Sequence, residues 1–158
     1  MLKLAAEFPQ LMDGLILLSP NIAINNPAAF LLSKPWGLDI ARNVYKGKYR
    51  ITNADFSSEE CIYWNCKYRL EAIVYLQQLV ESTMTIEVFA KVNKPVFLGY
   101  YYKDENHQDP TVKVDAMLKM FDQLGTPSSQ KQKVAFPEAG THVIWCKLFS
   151  KSWQDVET

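Results

Sequence analysis

Two segments decide how this chain folds: KPVFLGYYYKDENHQDPTV, Lys94–Val112, and FPEAGTHVI, Phe136–Ile144. The first opens with the apolar run Pro95–Tyr102, rich in β-branched and aromatic side chains and too short for a helix, which predicts a buried strand. A polar loop follows, Lys103-Asp104-Glu105-Asn106-His107-Gln108-Asp109, and Pro110 ends it. Val114, Met117, Leu118, Phe121 and Leu124 then recur at the spacing of a helix lying on a sheet. Asp109 suits the N-cap of that helix, Pro110 its first position and Gly125 its C′ stop. A second strand, Lys133–Pro137, runs into Glu138-Ala139-Gly140-Thr141-His142. The order is strand, acid-bearing loop, helix, strand, histidine loop. In open α/β sheets the C-terminal ends of the strands are where sites are built.

An acid after one strand and a histidine after the next reproduce the last two members of a Ser…Asp…His triad. The two segments resemble the C-terminal part of an α/β-hydrolase-fold serine hydrolase: the first its proline-led strand, glycine and acid loop, the second its histidine loop. LKLAAEFPQLMDGLILLSP, Leu2–Pro20, resembles the end of the helix that follows the nucleophile elbow and the next strand of that sheet. The residues agree independently, since Leu2, Leu4, Ala5 and Ala6 favour a helix ending at Pro9, and Gly14–Ser19 reads as a buried strand stopped by Pro20. The resemblance covers residues 1–20 and 91–158 and implies an α/β fold with three neighbouring parallel strands, Gly14–Ser19, Pro95–Tyr102 and Lys133–Pro137, flanked by helices.

The function so implied is hydrolysis of small-molecule carboxylic esters by an esterase or lipase-like enzyme that needs no metal or organic cofactor. Asp109 would orient His142, and His142 would activate a serine. Asp104, nearer the strand, is the alternative acid. The nucleophile elbow needs Gly-x-Ser-x-Gly on a strained strand-to-helix turn, and none of the six glycines flanks a serine in that way. By the resemblance, the elbow and its oxyanion hole belong a few residues upstream of Met1. The expectation is a C-terminal half, inactive alone, whose partner is the missing N-terminal half. The strand Gly14–Ser19 would then lack its neighbour, and its uncharged edge would drive two-fold self-association.

The 158 residues make one domain's worth of chain, 48% apolar, with seventeen cationic and seventeen anionic side chains. That balance offers no electrostatic case for nucleic acid or an anionic membrane, and no run approaches the roughly 20 apolar residues of a membrane span. Residues 1–7 lack a signal-peptide core. Cys61, Cys66 and Cys146 fit no metal-ligand spacing and read as buried free thiols, a lean toward a reducing, cytoplasmic compartment.

Residues 21–90 leave the sheet pattern and read as a helical insertion, where the family places its cap. Pro27, Pro35 and Gly37 punctuate a loop with short helical turns near Leu31-Leu32, and Tyr45–Asp55 reads as a second loop. A single long helix is expected from Ser57, with Ser57 and Glu60 as a capping box and Ile62, Cys66, Leu70, Ile73, Leu76 and Val80 as its stripe. A shorter helix spans about Thr85 to Val92, and Val143–Trp153 reads as a closing helix. Trp36, Tyr45, Tyr49, Phe56, Tyr63, Trp64 and Tyr68 would form the small core of the insertion, or line an acyl pocket. Asp104, Glu105, His107 and Asp109 contain enough ligand types for a metal, although a hydrated loop is the commoner outcome. The competing function is a non-catalytic α/β binding or interaction module that shares only the strand–helix–strand pattern.

Overall fold

The computed structural model describes residues 1–157. In chain order the elements are α1 Leu2–Glu7, β1 Leu15–Leu18, α2 Gly37–Val44, β2 Tyr49–Ile51, α3 Glu59–Tyr63, β3 Lys67–Arg69, α4 Leu70–Thr83 and α5 Ile86–Lys91. They continue with β4 Val96–Tyr100, β5 Tyr102–Asp104, β6 His107–Gln108, α6 Val114–Gln123, β7 Lys131–Ala135 and α7 Trp153–Glu157. Two compact units result, one of Met1–Asn26 with Val80–Thr158, the other Pro27–Leu79. Along the chain the units meet at residues 26–27 and 79–80. Ile22–Asn25 belong with the first unit because Ile24 bridges Val112, and α5 does because Val88, Phe89 and Val92 join its core. No helix among the described residues is long and apolar enough to cross a membrane.

The first unit is built on a parallel sheet in the order β1-β4-β7, with Leu15 opposite Val96 and Tyr100 opposite Ala135. Side chains alternate across a strand, so Leu15, Leu17, Val96, Leu98 and Tyr100 share one face. They pack with Leu2, Ala5, Phe89, Met117, Met120 and Phe121 from α1, α5 and α6. Leu98, Met117 and Met120 are wholly buried, each side chain contributing about 1.5–3 kcal/mol by leaving water. Towards its C-terminal end the opposite face holds Leu18, Phe97 and Val134 against Phe136, Ala139, Ile144 and Val156. Gly99 makes that packing possible, because a Cβ there would stand 2.9 Å from Leu18 Cδ2 and 3.1 Å from the Phe136 ring. Along β1 the outer edge pairs with no described strand, and Ile16 is 76% exposed.

Several local expectations change. α6 starts at Val114, not after Asp109. Lys113 N–H donates to Ala23 O and Asn25 N–H to Thr111 O, which holds residues 111–113 extended. At the other end Leu124 is the C-cap, with extended backbone, and Gly125 has no left-handed turn to make. A Cβ at Gly125 would meet Ala90 O at 2.2 Å, so close approach to α5 is what requires glycine there. The closing helix Val143–Trp153 is instead a chain of turns, with only α7 helical. Ile144 is the wholly buried residue of that stretch.

The second unit departs further. The long helix from Ser57 is broken into α3, β3 and α4, and β3 pairs antiparallel with β2, which lies in the expected loop Tyr45–Asp55. Between the two expected loops Gly37–Val44 is helical. Ser58 rather than Ser57 caps α3, its Oγ accepting from Cys61 N–H. Cys61 and Cys66 are not free thiols but a disulfide with Cα atoms 5.3 Å apart, leaving Cys146 as the free cysteine. In an unbroken helix, residues five apart have Cα atoms about 8.7 Å apart, beyond disulfide reach, so the bond and the long helix exclude each other. With two of the three cysteines joined, they give no lean toward a reducing compartment. Trp36, Tyr45, Tyr49, Phe56, Tyr63 and Trp64 are exposed and form no core, and only Tyr68 is half-buried. The interior of this unit is supplied by small and aliphatic residues, Ala29, Ala41, Cys66, Leu70 and Val74.

Candidate active site

The acid loop is shaped by hydrogen bonds that the polar sequence Lys103–Asp109 makes with itself. Asp104 Oδ1 accepts from the N–H groups of Asn106 and His107, both at 2.9 Å, which turns the short hairpin β5–β6. His107 Nδ1 lies 2.8 Å from the same carboxylate, and this bond holds the Asp104 carboxyl below its ordinary pKa. Tyr102 donates its hydroxyl to Glu105. The hairpin returns the chain so that Asp109 N–H donates to Tyr101 O, beside the end of β4.

Asp109 is 0% exposed. A buried carboxylate must have its lone pairs occupied, and here they are. Oδ1 accepts from Thr111 N–H at 2.8 Å and Val112 N–H at 3.0 Å, while Oδ2 faces His142 Nδ1 at 2.7 Å. The aspartate thus closes an Asx turn instead of capping α6, and the turn aims its second oxygen. From behind, Asn25 Nδ2 donates to Asp109 O, and the antiparallel bridge of Ile24 to Val112 holds the loop against the segment after β1.

His142 is carried by the loop after β7. Phe136 N–H donates to Tyr100 O, Ala139 N–H to Phe136 O, and Gly140 adopts φ 69°, a left-handed turn that favours glycine. Ile144, buried beside Gly99, anchors the far side of the turn, its N–H donating to His142 O. Lys103 Nζ meets Glu138 Oε1 at 3.1 Å and ties the acid hairpin to the histidine loop. The His142 side chain keeps 26% exposure. Since a carboxylate can only accept, Nδ1 is the protonated nitrogen, and Nε2 is left as the base.

The structure therefore brings Asp109 and His142 together across 33 residues of chain and sends Asp104 to His107. Of the four loop residues weighed as a metal set, Asp104 and His107 hold each other, Glu105 accepts from Tyr102 and Asp109 faces His142, and no group of three or more metal-binding side chains converges among the described residues. Reading the sequence did not single out Asn25, Lys103 or Glu138, whose contacts are polar pairs between distant loops with no local pattern. Ser19 was not singled out either. It follows β1 with φ 44° and is buried, with its Oγ lacking any hydrogen bond, including one to His142.

Comparison with known proteins adds the fold. No protein-family model and no curated protein matches the sequence. Among solved structures, one of the metagenome-derived lipolytic enzymes LipS and LipT is similar at a TM-score of 0.67 and 12% identity, over 98% of this chain and 56% of that one. A soluble variant of monoglyceride lipase from Saccharomyces cerevisiae, in complex with a substrate analogue, is similar at a TM-score of 0.59 and 17% identity, over 99% and 58%. The chain spans less than three-fifths of the length of either. With its parallel sheet flanked by helices, it has the fold of part of an α/β hydrolase.

Proposed function

We propose that the chain is the acid-and-histidine half of a serine hydrolase that cleaves carboxylic esters, the serine and oxyanion donors being supplied from outside residues 1–158. The observation that carries this reading is the 2.7 Å contact of His142 Nδ1 with the buried Asp109 carboxylate. In that arrangement Nε2 takes the serine proton as the hydroxyl attacks the ester carbonyl, then returns it to the departing alkoxide. A water deprotonated by the same nitrogen releases the acid. Asp109 keeps the proton on Nδ1 and stabilises the imidazolium. The free outer edge of β1 supports the reading from the other side. Beside it lies a groove of about 290 Å³, lined in part by Leu2, Ile16, Leu17 and Met84, where a serine-bearing strand would pair. Without that strand, two such edges would pair with each other and the chain would self-associate.

Two measurements test the proposal. A fluorophosphonate probe should leave the 158-residue chain unlabelled. In the polypeptide that includes the serine, His142→Ala and Asp109→Asn should each lower kcat for p-nitrophenyl butyrate, the latter by up to ~10⁴-fold, with far-UV circular dichroism unchanged. Stoichiometric labelling of a serine within the chain would place the nucleophile inside it. A silent Asp109→Asn beside a crippling Asp104→Asn would reassign the acid.

A further inference from the structure

The second unit contains the tripeptide Lys-Tyr-Arg twice, at Lys48–Arg50 and Lys67–Arg69. The copies face each other on β2 and β3, with Tyr49 opposite Arg69 and Arg50 opposite Tyr68. Backbone bonds lengthen the ribbon at both ends, Leu70 N–H to Lys48 O and Thr52 N–H to Cys66 O, each at 3.0 Å. An isolated two-stranded ribbon is marginal in water, and this one is clamped. At one end Cys66 is bonded to Cys61, and at the other Glu71 accepts from Arg69 and Arg42.

Alternation along the strands sorts the side chains. Arg50 and Tyr68 are half-buried on one face, the guanidinium over the ring, while Tyr49, Ile51, Lys67 and Arg69 are exposed on the other. Lys67 Nζ stands 4.7 Å above the Tyr49 ring, and Lys46 and Lys48 are exposed on the turn leading in. Stretches 44–52 and 65–69 hold Lys46, Lys48, Arg50, Lys67 and Arg69 and not one carboxylate. Whole-chain neutrality conceals this segregation. Among the described residues Arg69 alone of these five is ion-paired.

We propose that the exposed face of this ribbon docks on an anionic lipid surface. Charge complementarity selects the partner: cations at the headgroup level, with the apolar bodies of Tyr49 and Ile51 between them reaching the acyl boundary. Tyrosine with its polar tip suits that interface. A nucleic acid would use the cations and Tyr49 but gain nothing from Ile51.

The experiment is co-sedimentation of the whole chain with phosphatidylcholine vesicles, with and without 30% phosphatidylglycerol. Binding is expected only to the anionic vesicles and should be lost in 0.5 M salt. Each of Lys46→Glu and Lys67→Glu should weaken it by at least about fivefold, and Ile51→Ser should weaken it without altering the salt dependence. Circular dichroism checks the fold of each variant. Should a variant misfold, the lipid-composition and salt arms on the unaltered chain decide. Equal binding to neutral vesicles, no binding, or indifference to charge reversal would overturn the proposal. So would displacement by millimolar inorganic phosphate at constant ionic strength, or tighter capture of a single-stranded oligonucleotide.

Discussion

The two units hold their shape by different means. In the first, β4 is paired on both sides, and its buried face meets three helices, so that Leu98, Met117 and Met120 lose all contact with water. The buried Asp109 carboxylate has both oxygens occupied. In the second, a three-residue ribbon, a disulfide and the Glu71 carboxylate shared by Arg42 and Arg69 do the fastening, while most of the aromatic side chains face solvent. A unit of this size has little interior to fill. Apolar burial dominates where a sheet gives helices something to cover, and covalent and ionic fastening replaces it where no such surface exists.

The largest effect expected from that contrast is in the core. Leu98→Ala should cost about 2–5 kcal/mol of unfolding free energy in urea, against less than about 0.5 kcal/mol for Tyr63→Ala, whose side chain is 74% exposed. Equal losses would mean that the aromatic side chains of the second unit are packed after all.

Breaking the disulfide comes next. Closing so short a loop is worth about 2 kcal/mol by chain entropy, so Cys61→Ser with Cys66→Ser should destabilise by roughly that amount. The loss should be confined to the second unit, read as faster amide exchange in β2 and β3 with β4 protection unchanged. Global loss of protection would show the two units to be one cooperative block.

The smallest effect is electrostatic. Hydrogen bonds from Arg69, and further ones from the Glu71 backbone and Arg42, hold the Glu71 carboxyl at about 2, below its ordinary 4.5. A carboxyl depressed by folding stabilises fully above its unfolded value and loses that contribution as pH falls through the folded one. Acidification from pH 4.5 towards 2 should therefore loosen the ribbon ahead of the sheet, and Glu71→Gln should flatten that part of the profile. Chemical shifts of Tyr49 and Tyr68 would report it, and an unchanged profile in the variant would remove Glu71 from the account.

Much of the candidate site was legible in the sequence because its carriers are local. Strand β4 announces itself by its apolar run and helix α6 by the period of its apolar residues, and Asp109 and His142 each follow a strand by a short loop. The choice of Asp109 over Asp104 as the neighbour of His142 was not so fixed. It came from the hairpin Tyr102–Gln108, which spends Asp104 on its own turn and on His107, and from the bridge of Ile24 to Val112, which keeps Thr111–Lys113 out of the helix.

The second unit departs from its apolar pattern for a definable cause. Ile62, Cys66, Leu70, Ile73 and Val80 satisfy a helical period across a break that the period cannot register. β2 and β3 are three residues each and exist by pairing with one another, and the Cys61–Cys66 bond needs the chain to leave the helix between them. By itself, then, the sequence determined the parallel sheet, its covering helices and the two loops that bear Asp109 and His142, since each follows from apolar runs, hydrophobic period and turn residues within a few neighbours. Only the tertiary structure decided which carboxylate the histidine meets, where the long helix breaks and which cysteines join. Those outcomes depend on contacts between residues whose proximity no local pattern encodes.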